Sequence, residues 1–126
     1  MKTERIYTSN APTPGAPYSQ AIRANGFVFV TGQLSRDPKT GKFVGGAFGE
    51  QFRRSLTNLK GILDAGGCDV DDVVKLNIYM TSHDDLDDMN AIVGEFFPNP
   101  PARSSFGVSA LWMGAAVMVD AIAVSG

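Results

Sequence analysis

The chain has 126 residues, of which 44% are hydrophobic and 19% charged, with a formal net charge of −2, one cysteine and one histidine. This is the composition of a globular chain and not of a disordered one, and at this length folding buries roughly two thirds of the unfolded surface. The lone cysteine excludes an internal disulfide framework, the lone His–Cys pair is too small a ligand set for a zinc site, and the lack of a basic stripe argues against a nucleic-acid partner.

The start, Met1-Lys2-Thr3-Glu4-Arg5, is polar and leads into no apolar h-region, and no run approaches the ~20 apolar residues of a membrane span. The expectation is a cytoplasmic protein with no signal peptide and no membrane partner. No repeat, linker or low-complexity stretch divides the sequence, so residues 1–126 are read as one domain. Residues 3–8 suit a short strand, and Asn10 to Gly15 a loop rich in Pro and Gly. Tyr18 to Ala24 reads as a strand, Asn25-Gly26 as a two-residue hairpin turn, and Phe27 to Thr31 as an apolar strand buried on both faces. Asp37-Pro38-Lys39-Thr40-Gly41 is a further turn.

Phe48, Phe52, Leu56, Leu59 and Leu63 recur at helical spacing, and Gly66-Gly67 stops that helix. Val73 to Thr81 reads as a strand with Val74, Leu76, Ile78 and Met80 on one face. Ser82 followed by Asp85 resembles a capping pattern for a second helix, whose face carries Leu86, Met89, Val93, Phe96 and Phe97 and which Pro98 ends. Ala102 to Leu111 and Ala115 to Val124 read as the last strands. The order β-β-β-α-β-α-β-β predicts an α+β domain, one sheet with two helices on a single face. On the last strand Val117, Val119, Ala121 and Ala123 alternate with Met118, Asp120, Ile122 and Val124, so neither face is polar. A sheet covered by helices on one side and apolar on the other predicts an oligomer.

Arg103 is the residue with the clearest chemical implication. Pro100 and Pro101 hold the chain extended before it, and a guanidinium on a rigid strand presents a planar fork that matches a carboxylate. The plain alternative is an exposed arginine paired with a surface carboxylate. Similarly, Tyr18 suits a half-buried strand tyrosine, Thr31 a strand end, Asn90 a solvated helix position, His83 a surface helix start and Cys68 a packed turn.

Several phrases in fixed order carry a resemblance: Ala16-Pro17-Tyr18-Ser19-Gln20-Ala21, Phe29-Val30-Thr31-Gly32-Gln33, Asp37-Pro38-Lys39-Thr40-Gly41, Met89-Asn90-Ala91, Pro101-Ala102-Arg103 and Asp120-Ala121-Ile122-Ala123. Together they resemble the reactive intermediate deaminase A (RidA/YjgF) family over essentially the whole chain. The resemblance implies a chorismate-mutase-like α+β fold, a homotrimeric barrel with ligand clefts between subunits, and hydrolysis of 2-imino acids and their enamine tautomers to 2-keto acids and ammonia. It implies no cofactor and no metal. By position, Arg103 is implied to clamp the substrate carboxylate with help from the backbone N–H of Ser105. Tyr18, Thr31, Gly32 and Asn90 are implied to line the same cleft, some from a neighbouring subunit.

The sequence also departs from that pattern. Ser105 stands where the family's deaminases usually carry cysteine. Met118 stands where they carry a water-orienting glutamate, and a thioether is only a weak acceptor. Asp120 lies two residues on, about 6.5–7 Å along the same strand face, and is the remaining acid for that role. Trp112, in Leu111-Trp112-Met113-Gly114-Ala115, replaces a short charged turn and implies a larger, greasier pocket or a contact with a neighbouring subunit. Two readings stand: a deaminase, on a bulkier enamine such as an aminomuconate-like acid, or a non-catalytic trimeric binder of small carboxylates or protein-holding factor, which Met118 favours. A third, RNA cleavage, is disfavoured by the acidic balance and the absence of a histidine pair.

Overall fold

A computed structural model of the protein describes residues 2–125. It contains six strands and two long helices in the expected order: β1 (Thr3–Ile6), β2 (Ala21–Ala24), β3 (Phe27–Gln33), α1 (Phe48–Ala65), β4 (Val73–Met80), α2 (Leu86–Phe96), β5 (Ala102–Gly107) and β6 (Val117–Val124). The strands form one sheet in the order β1-β2-β3-β6-β4-β5. All neighbours are antiparallel except β4 and β5, whose parallel pairing requires a long crossover, supplied by α2. Between β2 and β3, Asn25 (φ 52°) and Gly26 (φ 80°) both take the left-handed conformation that a tight two-residue hairpin demands.

The core lies between the sheet and the helices. Val28 and Val30 of β3, Leu76 and Ile78 of β4, and Val117, Val119, Ala121 and Ala123 of β6 are all buried. Facing them are Phe52, Leu56, Leu59, Ile62 and Leu63 of α1 and Met89, Ile92 and Val93 of α2. Each large side chain so buried contributes about 1.5–3 kcal/mol of transfer free energy. Gly66 accepts the end of α1, its N–H bonding Ile62 O and Leu63 O.

Four local expectations need correction. Val74 does not join Leu76, Ile78 and Met80; it is 43% exposed, because the register against β6 shifts between Val73 and Lys75 and turns it outward. Leu86 is also exposed, because Ser82 accepts from Asp84 N–H and opens a 3₁₀ turn over His83–Asp85 that delays α2 to Leu86; Ile92 takes the core position instead. The strand expected at Tyr18–Ala24 begins at Ala21 and leaves Tyr18 in the loop before it, that expected at 102–111 ends at Gly107, and that at 115–124 begins at Val117, after a 3₁₀ turn at Trp112–Gly114. Finally, β3 is not buried on both faces within one chain, since Phe27 and Phe29 remain 39% and 45% exposed.

Those phenylalanines belong to an open sheet face. The row Ile22–Phe29–Ile122 runs across β2, β3 and β6, and Val124 lies beside Phe27. Further along, Tyr79 of β4 stacks on Phe106 of β5 with ring centroids 5.3 Å apart. No helix among the described residues is long and apolar enough to cross a membrane.

Candidate functional site

At one end of β3 the ladder to β6 is interrupted between Val30 and Gln33, which leaves Thr31 and Gly32 out of register. Thr31 turns to the loop before β2 instead: its N–H donates to Gln20 O at 2.9 Å, and its hydroxyl donates to Ser19 O at 2.6 Å. Because a carbonyl only accepts, the Thr31 hydroxyl is left with its lone pairs free toward the cleft. Gly32 lies against Met118 of β6 so closely that a Cβ there would meet the thioether sulfur at 2.8 Å. The missing side chain is what lets the two strands close around the cleft.

The cleft that results has a volume of about 530 Å³ and is lined by Tyr18, Thr31, Gly32, Met118, Asp120 and Trp112, with Pro12, Leu34, Arg36 and Met113 around them. Tyr18 and Trp112 are 45% and 78% exposed at its rim. Asp120 is held by two donors from β4: Asn77 Nδ2 at 2.8 Å on one oxygen and the Tyr79 hydroxyl at 2.9 Å on the other. Burial, followed by the hydrogen bond to Asp120 and that residue's charge, pushes the Tyr79 phenol above its ordinary value. Asp120 is therefore a fixed acceptor with one lone-pair direction on each oxygen still unused.

Two glutamines not expected as site residues hold the walls. Gln20, fully buried, accepts from Thr8 N–H at 2.7 Å and donates to Thr8 O, Pro12 O and Ala11 O, which ties the Tyr18 loop down. Gln51 of α1 accepts from Ala116 N–H at 3.0 Å and donates to Gly46 O, which fixes the chain between the Trp112 turn and β6. Met113, in that turn, takes a left-handed φ of 62°.

The remaining residues lie elsewhere. Arg103 and Ser105 are exposed on β5, the edge strand, in register with Leu76 and Ile78. Asn90 is exposed on α2. Ser105 lines a separate depression of about 130 Å³ with Met80, Ser82, His83, Leu86 and Phe106. Within one chain, Arg103, Ser105 and Asn90 do not reach the Tyr18 cleft. Among the described residues Arg103 makes no ion pair; the two present are Arg23–Glu4 and Arg53–Glu95. No three His, Cys, Asp or Glu side chains among them gather as a metal site.

Residues 8–125 match the model of the family described as Endoribonuclease L-PSP. The chain belongs to this family. Its members include the chloroplastic Reactive Intermediate Deaminase A of Arabidopsis thaliana, 41% identical over 124 residues that span 98% of this chain and 66% of the plant protein. The 2-iminobutanoate/2-iminopropanoate deaminase of Bos taurus is 38% identical over 122 residues, 96% of this chain and 89% of the bovine one. Among solved structures, E. coli TdcF with bound serine superposes with a TM-score of 0.92 at 31% identity, covering 98% of this chain and 99% of that one. The reactive intermediate deaminase A family and its α+β fold are thus the setting in which the cleft has to be read.

Proposed function

We propose that the protein hydrolyses 2-imino acids, with their enamine tautomers, to 2-keto acids and ammonia, in a site completed between copies of a homotrimer. The observation that carries this reading is the uncommitted guanidinium of Arg103, on a chain whose relatives are named for deaminating 2-imino acids. The apolar open face of the sheet supports association, and contact between copies is what would bring the Arg103, Ser105 and Asn90 group of one to the Tyr18 cleft of the next.

In that site Arg103 grips the substrate carboxylate through two parallel bonds, with the Ser105 backbone N–H beside it. The protonated imine is already electrophilic, so no cofactor is required. The Thr31 hydroxyl, having donated to Ser19, accepts from the iminium N–H. Tyr18 closes the polar side. Water adds to the imine carbon as its proton passes to Asp120. The carbinolamine nitrogen then takes up that proton, and its C–N bond breaks as the C–OH becomes C=O, so one water enters and one ammonia leaves. The walls of Trp112, Met113, Leu34 and Met118 favour a side chain bulkier than that of 2-iminopropanoate, such as an aminomuconate-like acid. The protein then works on a small-molecule carboxylate in the cytoplasm.

An in situ imine made by an amino-acid oxidase tests this. The protein is expected to speed its loss, and Arg103→Ala to abolish the effect; an unchanged rate in the variant overturns the assignment. Met118, with no acid in its place, favours a second reading, a carboxylate-binding trimer without turnover, for which wild type gives no acceleration while still binding 2-keto acids.

A further inference from the structure

The cleft contains a cation that the chemistry above does not use. Arg36 lines it beyond Leu34. The Arg36 backbone is fixed: its carbonyl accepts from the buried Asn58 of α1 at 2.9 Å, and it bridges to Phe43. Its side chain is only partly committed. Nε donates to Gly41 O at 2.8 Å, and Nη2 reaches Thr13 O at 3.4 Å. A guanidinium carries five N–H donors, so most of the fork is left over.

Among the described residues no carboxylate answers this charge. Among the described residues neither ion pair involves Arg36, and Asp120, the acid that shares the cleft, is bonded to Asn77 and Tyr79. The rest of the wall around it is largely apolar, with Trp112, Met113 and Met118. A half-buried guanidinium with spare donors, a pinned backbone and no counter-ion is a receptor for an anion carried by the ligand. It also explains why the cleft is large, since about 530 Å³ lies within the ~300–1,000 Å³ of sites that enclose sizeable ligands.

We propose that Arg36 binds a second carboxylate, so that the substrate is a 2-imino dicarboxylic acid held at both ends, its distal carboxylate on Arg36 and its 2-carboxylate on Arg103 of a neighbouring copy. This rests on the deaminase site described above and narrows its substrate class. The apolar walls then enclose the carbon chain between two charged anchors, and a monocarboxylic acid of the same length leaves Arg36 without a partner.

Stable 2-keto acids test it by calorimetric titration of the whole protein at low salt. Wild type is expected to bind 2-oxoadipate at least about tenfold more tightly than 2-oxohexanoate, which differs only at the distal end. Arg36→Gln is expected to erase that preference, and Arg36→Lys to retain part of it. The comparison between the two acids on wild type needs no variant and holds even if a substitution at Arg36 disturbs the turn. Equal binding of both acids, lost in Arg103→Ala, overturns the role of Arg36 and leaves the deaminase site standing. Binding that survives Arg103→Ala overturns the two-ended site, and binding of neither acid overturns both readings.

Discussion

Met118→Glu is the substitution that most directly probes how water is activated. Met118 is half-buried on the open face, opposite Tyr79 and against Gly32. Glutamate has nearly the same reach, so the change conserves volume and places a carboxylate where the thioether now lies. Asp120 lies two residues on along the strand, about 6.5–7 Å away. Two like charges at that distance repel by about 2.4 kcal/mol at an effective dielectric constant of 20, which raises the titration of the new carboxyl by roughly 1–2 pH units. Partial burial adds a stability cost of about 1–3 kcal/mol. Asp120 already accepts from Asn77 and Tyr79, whereas the new group has no such partners. It therefore acts as the stronger base, and a positioned base contributes about 10²–10⁴-fold. The expected outcome, followed as loss of an oxidase-generated imine, is a gain of about 10²-fold with a new limb in the pH–rate profile, the rate rising with pH as the carboxyl ionises. A folded variant that binds 2-keto acids like wild type but shows neither gain nor limb refutes the reasoning, and assigns water activation to something other than side chain 118.

Tyr79→Phe removes one donor to Asp120 and is expected to cost about 1 kcal/mol in urea unfolding, since a hydrogen bond to a charged group is worth about 1.5–3 kcal/mol before allowance for its partial exposure. The Tyr79 phenol is raised in the folded protein, so the folded state holds that proton more tightly. Its contribution is fully present below the ordinary tyrosine range and is lost as pH rises through the raised value, a loss at alkaline pH that Tyr79→Phe should not show. Gln20→Ala strips the buried amide from the Tyr18 loop and is expected to lower stability by about 2–4 kcal/mol and to raise KM more than it lowers kcat; steady-state kinetics with an unchanged KM would argue that the loop does not depend on it. Burial pushes the Cys68 thiol above its ordinary range, so it should resist alkylation in the folded protein and react only on unfolding, as mass spectrometry of labelled samples would record.

The elements that the sequence foretold are those whose cause is local. Asn25-Gly26 reads as a turn because both residues tolerate positive φ, and the α1 stripe from Phe48 to Leu63 reads as a helix because its period matches the buried face. Val74 and Leu86 were misplaced because a one-residue shift and a 3₁₀ turn change which side chain faces inward without altering composition. At the site, Tyr18, Thr31, Gly32, Trp112, Met118 and Asp120 share one cleft, whereas Arg103, Ser105 and Asn90, which the resemblance groups with Tyr18, Thr31 and Gly32, lie apart from it in the single chain. Gln20 stands within a phrase that carries the resemblance, but what it, Gln51 and Arg36 do is not readable from sequence, because their partners are main-chain atoms or cleft space that only the fold brings near.

The central claim is that one active site needs Arg103 from one copy and the Thr31–Asp120 cleft from another. Mixed oligomers of two inactive variants test it most directly. Arg103→Ala and Asp120→Asn, each expected to be inactive or nearly so alone, are refolded together in equal amounts and assayed for imine loss. Recovery to about one quarter of wild-type activity is expected, the share of sites that draw an intact half from each of two copies. A mixture no more active than the separate variants would contradict it.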